Sequence, residues 1–313
     1  MKTTDRLKRA FDNPRLFVRG LNRAYHRRVG VRSENTAGID VFNEDWDTLV
    51  ILDACRYDMF EEVNHIEGSL SMKESKASAT TEWLQANVDG RDLRDTVYVT
   101  ANPQLERHRE HWNVNFHEVI NVWLDEGWDE ETGTVLAETM TNAGIQAFER
   151  FPNKRIVVHY MQPHYPFVPS ETRFDKKHLN TIRDASDSAT GNNVWNQKQS
   201  GELDASTELL WELYVENLRY VLRNVESLVA ATHGKTVITS DHGNYVGERA
   251  FPIPIREYGH PRGLYDESVV VVPWLEITHG TRRNVRSGTR VESGEQPASE
   301  TVTDRLENLG YSA

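Results

Sequence analysis

Apolar residues along this chain fall into two patterns. Five short runs are apolar on both faces and rich in β-branched residues: 48–53 (TLVILD), 96–101 (TVYVTA), 155–161 (RIVVHYM), 235–241 (KTVITSD) and 269–277 (VVVVPWLEI). Runs of that length and kind suit strands of a parallel sheet that is covered on both sides. Between them the apolar positions recur at three- and four-residue steps. The clearest case is 206–232, where Leu210, Leu213, Tyr214, Leu218, Val221, Leu222, Val225 and Leu228 form one stripe and Gly234 reads as the stop. Segment 135–151 repeats the pattern with Met140, Ala143, Ala147 and Phe151, and a short helix is expected over 81–87. Strand alternating with helix implies right-handed crossovers. The expected fold class is α/β, a doubly wound, mostly parallel sheet with helices on both faces.

Two stretches break the alternation. Segment 169–204 is polar, rich in Asn, Ser, Asp and Gly, and too long for an ordinary connection, which marks it as a lid or substrate loop. Segment 279–298 reads as a linker before a short helix at 300–309. One domain with appendages follows: a basic arm over 1–40, a catalytic domain over 41–278, and a linker with a terminal helix over 279–313.

Charge changes the picture at the N-terminus. The chain carries a net −12 over 313 residues, which argues against nucleic acid as a partner. Residues 1–32 nevertheless hold ten Lys/Arg against Asp5 and Asp12, interleaved with Leu7, Phe11, Phe17, Val18, Leu21 and Tyr25 on either side of Pro14. That arrangement fits an interfacial helix lying on anionic lipid, and it also fits an arm packed on the acidic body or a solvated tail. No run of 18 apolar residues occurs, no apolar leader opens the chain, and Cys55 is the sole cysteine. These features, with an acidic, lysine-poor body, point to a cytoplasmic protein that meets the inner membrane face peripherally.

Chemistry is expected where open α/β sheets place it, beyond the carboxyl ends of the strands. Asp53 closes the first strand, and Asp241-His242 close the fourth. Two carboxylates and an imidazole there make a site for a divalent metal; the bland alternative is a helix-capping Asp53 and a merely packed His242. Thr80 falls at the start of a predicted helix, where a hydroxyl could join the metal and an anion could sit on the helix N-terminus; an ordinary N-cap threonine has the same appearance. His159, His164 and His260 lie at strand ends or in the Pro/Gly loops that follow.

Taken together, Leu52-Asp53-Ala54-Cys55-Arg56-Tyr57-Asp58, Thr80-Thr81-Glu82-Trp83, His159 through Pro166, Ser240-Asp241-His242-Gly243 and Tyr258 through Gly263 resemble the alkaline phosphatase superfamily, sulfatase-like branch, from about residue 45 to 276. The resemblance implies that Asp53, Asp241 and His242 bind metal, with Thr80 completing the shell as nucleophile. It implies that His164 and His260 contact the transferred anionic group or protonate the leaving oxygen. Arg56 and His159 are candidates for substrate binding. One divalent ion (Mg, Mn, Ca or Zn) is implied. The position four before His164, where two-metal members carry Asp, is Tyr160; His159 is the one candidate ligand for a second ion. The Cys/Ser-x-Pro-x-Arg motif that sulfatases mature to formylglycine is missing around Thr80. The expected activity is therefore hydrolysis or transfer of a phosphate ester, of phosphodiester or phosphoglycerol type, on a small or lipid-linked anionic substrate. Sulfuric ester hydrolysis and a non-catalytic, metal-stapled binding protein are the alternatives.

Overall fold

The computed structural model describes residues 14–28, 34–124, 127–170, 194–291 and 297–311. Its centre is a seven-stranded sheet. The strands are β1 (Thr48–Leu52), β2 (Ser69–Glu74), β3 (Asp92–Thr100), β4 (Asn115–Asn121), β5 (Arg155–Tyr160), β6 (Gly234–Thr239) and β9 (Val271–His279), in the order β2-β9-β6-β1-β5-β3-β4. The five strands from β6 to β4 run parallel; β9 is antiparallel to both β6 and β2. The fold is thus a mostly parallel α/β sheet, as the apolar runs require, with one reversed strand near an edge. A two-stranded ribbon, β7 (Tyr245–Arg249) and β8 (Arg256–Gly259), stands apart from it.

β1 shows why both faces must be covered. All five of its residues are buried. Val50 and Leu52 enter one core with α2 (Tyr57–Val63), α5 (Ala137–Arg150) and α7 (Thr207–Ala231). Leu49 and Ile51 enter the other, with Trp83 and Leu84 of α3 (Thr80–Val88). Alternate side chains of a strand point to opposite faces, so a strand apolar throughout needs a helical layer on each side. The long stripe of α7 supplies Leu210, Leu218, Val221, Leu222, Val225 and Leu228 to the first core, and Ser206 caps its start by accepting from the Leu209 amide at 3.0 Å.

Several expectations need correction. Gly234 is not the stop of α7, which ends at Ala231 with Thr232 as its cap. Gly234 opens β6 at φ +95°, and a Cβ there would lie 2.3 Å from the Asp47 carboxylate; glycine answers both the turn and the close approach. The edge strands β2 and β4 and the β7–β8 ribbon were not anticipated. Of the polar stretch 169–204, residues 171–193 lie outside the described residues, and with them the expected lid. Its end, however, forms α6 (Val194–Ser200), with Trp195 in the core. The stretch 279–298 is no free linker in its described part: Arg283 is buried over the Phe148 ring, and Val291 donates to the His117 carbonyl. The terminal helix α9 (Ser299–Asn308) packs Val302 and Leu306 into the main core. Finally, the described part of the basic arm is a helix, α1 (Pro14–Arg28), set on the loop between β7 and β8.

Candidate active site

The carboxyl ends of β6, β1, β5 and β3 are neighbours, and between them they deliver five polar groups to the same point. Asp53 follows β1, Asp241 and His242 follow β6, His159 sits in the last turn of β5, and Asn102 follows β3. All five are buried. Ala54, next to Asp53, adopts φ +61°, the sole positive φ on a non-glycine residue among the described residues. Its amide donates to Asp241 Oδ1 at 3.0 Å, which ties the two strand ends together.

Three ligand-type atoms here are buried without a hydrogen-bond partner: Asp53 Oδ1, Asp241 Oδ2 and His159 Nε2. Asp53, His159 and Asp241 each offer one ligand atom, all within 4.8 Å of one another. His242 faces the same centre, with Nε2 3.3 Å from Asp241 Oδ2 and 3.8 Å from Asp53 Oδ1. Its Nδ1 lies 2.8 Å from the Gly243 carbonyl, which can only accept, so the proton is on Nδ1 and Nε2 presents a lone pair. Oxygen atoms of two carboxylates and ring nitrogens of two imidazoles therefore converge on one buried point. Burial, then the Asp241 charge, pushes the Asp53 carboxyl well above the usual carboxylate range. A buried like-charged pair of this kind is relieved by a cation, and the donor set of carboxylate oxygen and imidazole nitrogen suits a divalent ion. The residues present fit the metal that the sequence implied, with one change. His159 is completely buried, bonded through Nδ1 to the Tyr98 hydroxyl at 2.6 Å, and faces Asp53 and Asp241 and not the cleft. Tyr160 turns to the opposite face and bonds Thr141 at 2.8 Å.

Thr80 is the first residue of α3 and not its cap; Ala79 holds the cap position. Ser78 and Glu82 close that end of the helix, the Ser78 amide and hydroxyl donating to Glu82 Oε2 at 2.9 and 3.0 Å. Thr80 Oγ1 is thereby left to face the cluster, 3.4 Å from Asp53 Oδ2 and 3.3 Å from His242 Nε2. A third neighbour comes from the far end of the chain. The Tyr311 hydroxyl lies 3.3 Å from Thr80 Oγ1 and 3.4 Å from Asp53 Oδ2, and Asn102 donates to both Asp53 Oδ2 (2.9 Å) and the Tyr311 oxygen (3.3 Å).

His164 and His260 are brought together as a pair. His164 Nδ1 donates to the Tyr165 carbonyl at 2.6 Å, so its Nε2 accepts from His260 Nε2 at 3.0 Å. His260 Nδ1 is then left bare and without a partner. Burial pushes His164 down to about 4 and, aided by His242 and His164, holds His260 well below the usual histidine range. Both rings are neutral at pH 7. The Tyr311 ring stacks on His164, with centroids 5.5 Å apart.

Above this floor opens a cleft of about 410 Å³. Thr80, His260 and Tyr311 form its base; Arg19, Arg23, Arg107 and Arg262 stand around it, and no carboxylate lines it. Four guanidinium groups give this cleft a positive lining. Arg56 is not among them. Its guanidinium pairs with Asp58 and Glu248, lies 5.0 Å from the Trp211 ring centre, and lines a different hollow. The substrate role expected for Arg56 is dropped for that reason. Sequence reasoning assigned no place in the site to Arg19, Arg23, Arg107, Asn102 or Tyr311. The one signal for the first two was the density of arginines in the arm.

No family model matches the chain, and no curated protein does. Solved structures do. The soluble domain of lipooligosaccharide phosphoethanolamine transferase A from Neisseria meningitidis is 10% identical, with TM-score 0.45, 73% of this chain and 75% of that one covered. The C-terminal periplasmic domain of EptC from Escherichia coli, in complex with Zn, is 13% identical with TM-score 0.41, covering 76% and 75%. A protein in the alkaline phosphatase superfamily from Vibrio parahaemolyticus is 10% identical with TM-score 0.43, covering 90% and 69%. The chain is similar to these proteins, and likeness at this level does not extend to activity. The cytoplasmic location expected above is withdrawn: structures similar to this one include periplasmic domains, and the lone cysteine is buried and reports on no compartment. Among the described residues no helix is long and apolar enough to cross a membrane.

Proposed function

We propose that the protein is a metal-dependent phosphoesterase or phosphoryl-group transferase that works through Thr80. The observation that carries this reading is the placing of one hydroxyl, Thr80 Oγ1, between a buried cluster of unpartnered metal-ligand atoms and a cleft lined by arginines. Asp53, Asp241, His159 and His242 would hold one divalent ion. Such an ion supplies a lowered hydroxyl pKa and neutralises charge on the nonbridging oxygens. The arginines bind the ester, and Asn102 and Tyr311 orient Asp53 and the threonine hydroxyl. Thr80 Oγ1 attacks phosphorus, the bond from phosphorus to the leaving oxygen breaks, and a phospho-threonine forms. The threonine proton passes to His260 Nδ1, the bare ring nitrogen at the base of the cleft, and from there to the leaving oxygen. Water or an acceptor alcohol then attacks the phospho-threonine and loses its proton to the same nitrogen, which returns it to Thr80 Oγ1 as the bond from that oxygen to phosphorus breaks. The favoured substrate is an anionic ester, small or lipid-linked, and contact of residues 1–32 with an anionic membrane belongs to the same reading. The domain division at about 40 and 279 stands as part of this proposal, with both appendages contributing to the cleft.

Thr80→Ala and Thr80→Ser, assayed on an aryl phosphodiester with added Zn or Mn, test the nucleophile. We expect the alanine variant to lose at least about 10³-fold in kcat and the serine variant to keep most of it. An alanine variant as active as the wild type would sink the proposal.

A further inference from the structure

Five of the seven large hydrophobic side chains exposed among the described residues lie on one face of the molecule: Phe17, Leu21 and Tyr25 of α1, and Phe251 and Ile253 between β7 and β8. The Tyr25 and Phe251 rings meet edge-on at 5.5 Å. Asn22 and Ile253 exchange two hydrogen bonds, at 2.9 and 3.0 Å. Steps of four bring the three α1 residues onto one stripe.

α1 is mounted with its polar side inward. Arg19 pairs with buried Glu257 at 2.6 Å and donates to the Tyr258 carbonyl at 3.1 Å, and His26 lies 3.0 Å from the Phe251 carbonyl. A helix that only packs on a protein body turns its apolar stripe to the core. Here that stripe faces outward, because the bonds to the loop hold it there. The same helix carries five arginines and no acidic residue in PRLFVRGLNRAYHRR. It also supplies Arg19 and Arg23 to the cleft, so the cleft mouth opens beside the apolar face.

We propose that this face docks on an anionic phospholipid bilayer and sets the cleft mouth against the lipid headgroups. Phe17, Leu21 and Phe251 enter the headgroup region, and the net positive charge of α1, which has no acidic residue, favours an anionic surface. The rest of the chain, acidic overall, is repelled by such a surface, so the charge pattern also fixes the orientation. The docking deepens the membrane contact of the function proposed above, and that the cleft then meets an ester headgroup rests on that reading too.

The test is co-sedimentation of the full chain with vesicles of phosphatidylcholine plus phosphatidylglycerol, and of phosphatidylcholine alone. It compares the wild type with a Phe17→Ser, Leu21→Ser, Phe251→Ser variant. The wild type is expected to pellet with the anionic vesicles and to be released by salt. The variant should partition about tenfold less or weaker still, with an unchanged Tm, since its three altered side chains are exposed. Equal recovery of the two proteins overturns the proposal, as does a wild type that stays in the supernatant. So does a concentration-dependent dimer that the variant abolishes. Turnover of a water-soluble aryl phosphodiester, measured without vesicles, reports separately on the cleft. Vesicle binding without turnover would count against the catalytic reading alone, and turnover without vesicle binding against the docking alone.

Discussion

The floor and the rim of the cleft are built on opposite principles. The floor gathers Asp53, Asp241, His159 and His242 from the ends of adjacent parallel strands, buries them, and leaves three of their ligand atoms without a partner. The rim takes Arg19 and Arg23 from an N-terminal helix and borders Tyr311 from the last described turn, and its anchors are paired, as Arg19 is with Glu257. A floor of unpartnered ligand atoms costs stability unless a cation fills it. A rim of paired arginines is stable by itself, and in the proposed reading it serves the substrate. The two should therefore respond differently to metal removal and to substitution.

Removing the ion gives the largest expected effect. Chelation, or Asp241→Asn, should lower aryl phosphodiester turnover by at least about 10³-fold, because several kcal/mol of charge stabilisation are withdrawn. At a metal concentration a hundred times its Kd, the wild type should gain about 2.7 kcal/mol of stability, and Asp241→Asn should gain almost none. Calorimetry with and without Zn or Mn reads both. A chelated wild type that keeps its Tm and its activity would erase the distinction between floor and rim.

Tyr311 sharpens the boundary between the two, because it belongs to a terminal appendage yet bonds to floor atoms. Tyr311→Phe removes the hydroxyl near Thr80, Asp53 and Asn102 and leaves the ring on His164. A hydrogen bond of this sort is worth about 1 kcal/mol net, so kcat should fall about fivefold with KM and Tm little changed. A drop in Tm without a change in kcat would make Tyr311 a packing residue.

The same division explains what was legible in the sequence. Asp53, Asp241 and His242 directly follow strands whose apolar runs can be read without tertiary information, and a parallel sheet brings such ends to one edge. His159 was visible as a strand residue, but its inward direction depends on which face of β5 meets Tyr98, and that is a matter of register. Tyr311 and Arg19 reach the cleft from the two ends of the chain, across separations over which local patterns carry no information. β2 was missed because it is an edge strand with mostly exposed residues, including Met72, and so lacks an apolar run. The apolar stripe of α1 was read correctly as a stripe; that it faces outward follows from hydrogen bonds to a loop more than 200 residues away.

Ala54 yields the smallest expected effect and tests the floor at its backbone. Its φ of +61° costs an alanine about 1–2 kcal/mol. The turn is held by bonds that do not involve the Ala54 side chain: the Ala54 amide to Asp241 Oδ1, the Tyr214 hydroxyl to the Ala54 carbonyl, and the Cys55 amide to Ser240 Oγ at 2.8 Å. Ala54→Gly would relieve the strain. Against that stand about 0.5–1 kcal/mol of extra chain entropy on unfolding and about 0.8 kcal/mol for a lost buried methyl. The three nearly cancel, so Tm should move by no more than about 2 °C and turnover should stay within about twofold, since Asp53 is aimed by the backbone bonds. A clear gain in stability would mean that the strain outweighs the packing of the methyl. A clear loss of turnover at unchanged stability would mean that the methyl, and not the bonds, fixes the direction of Asp53.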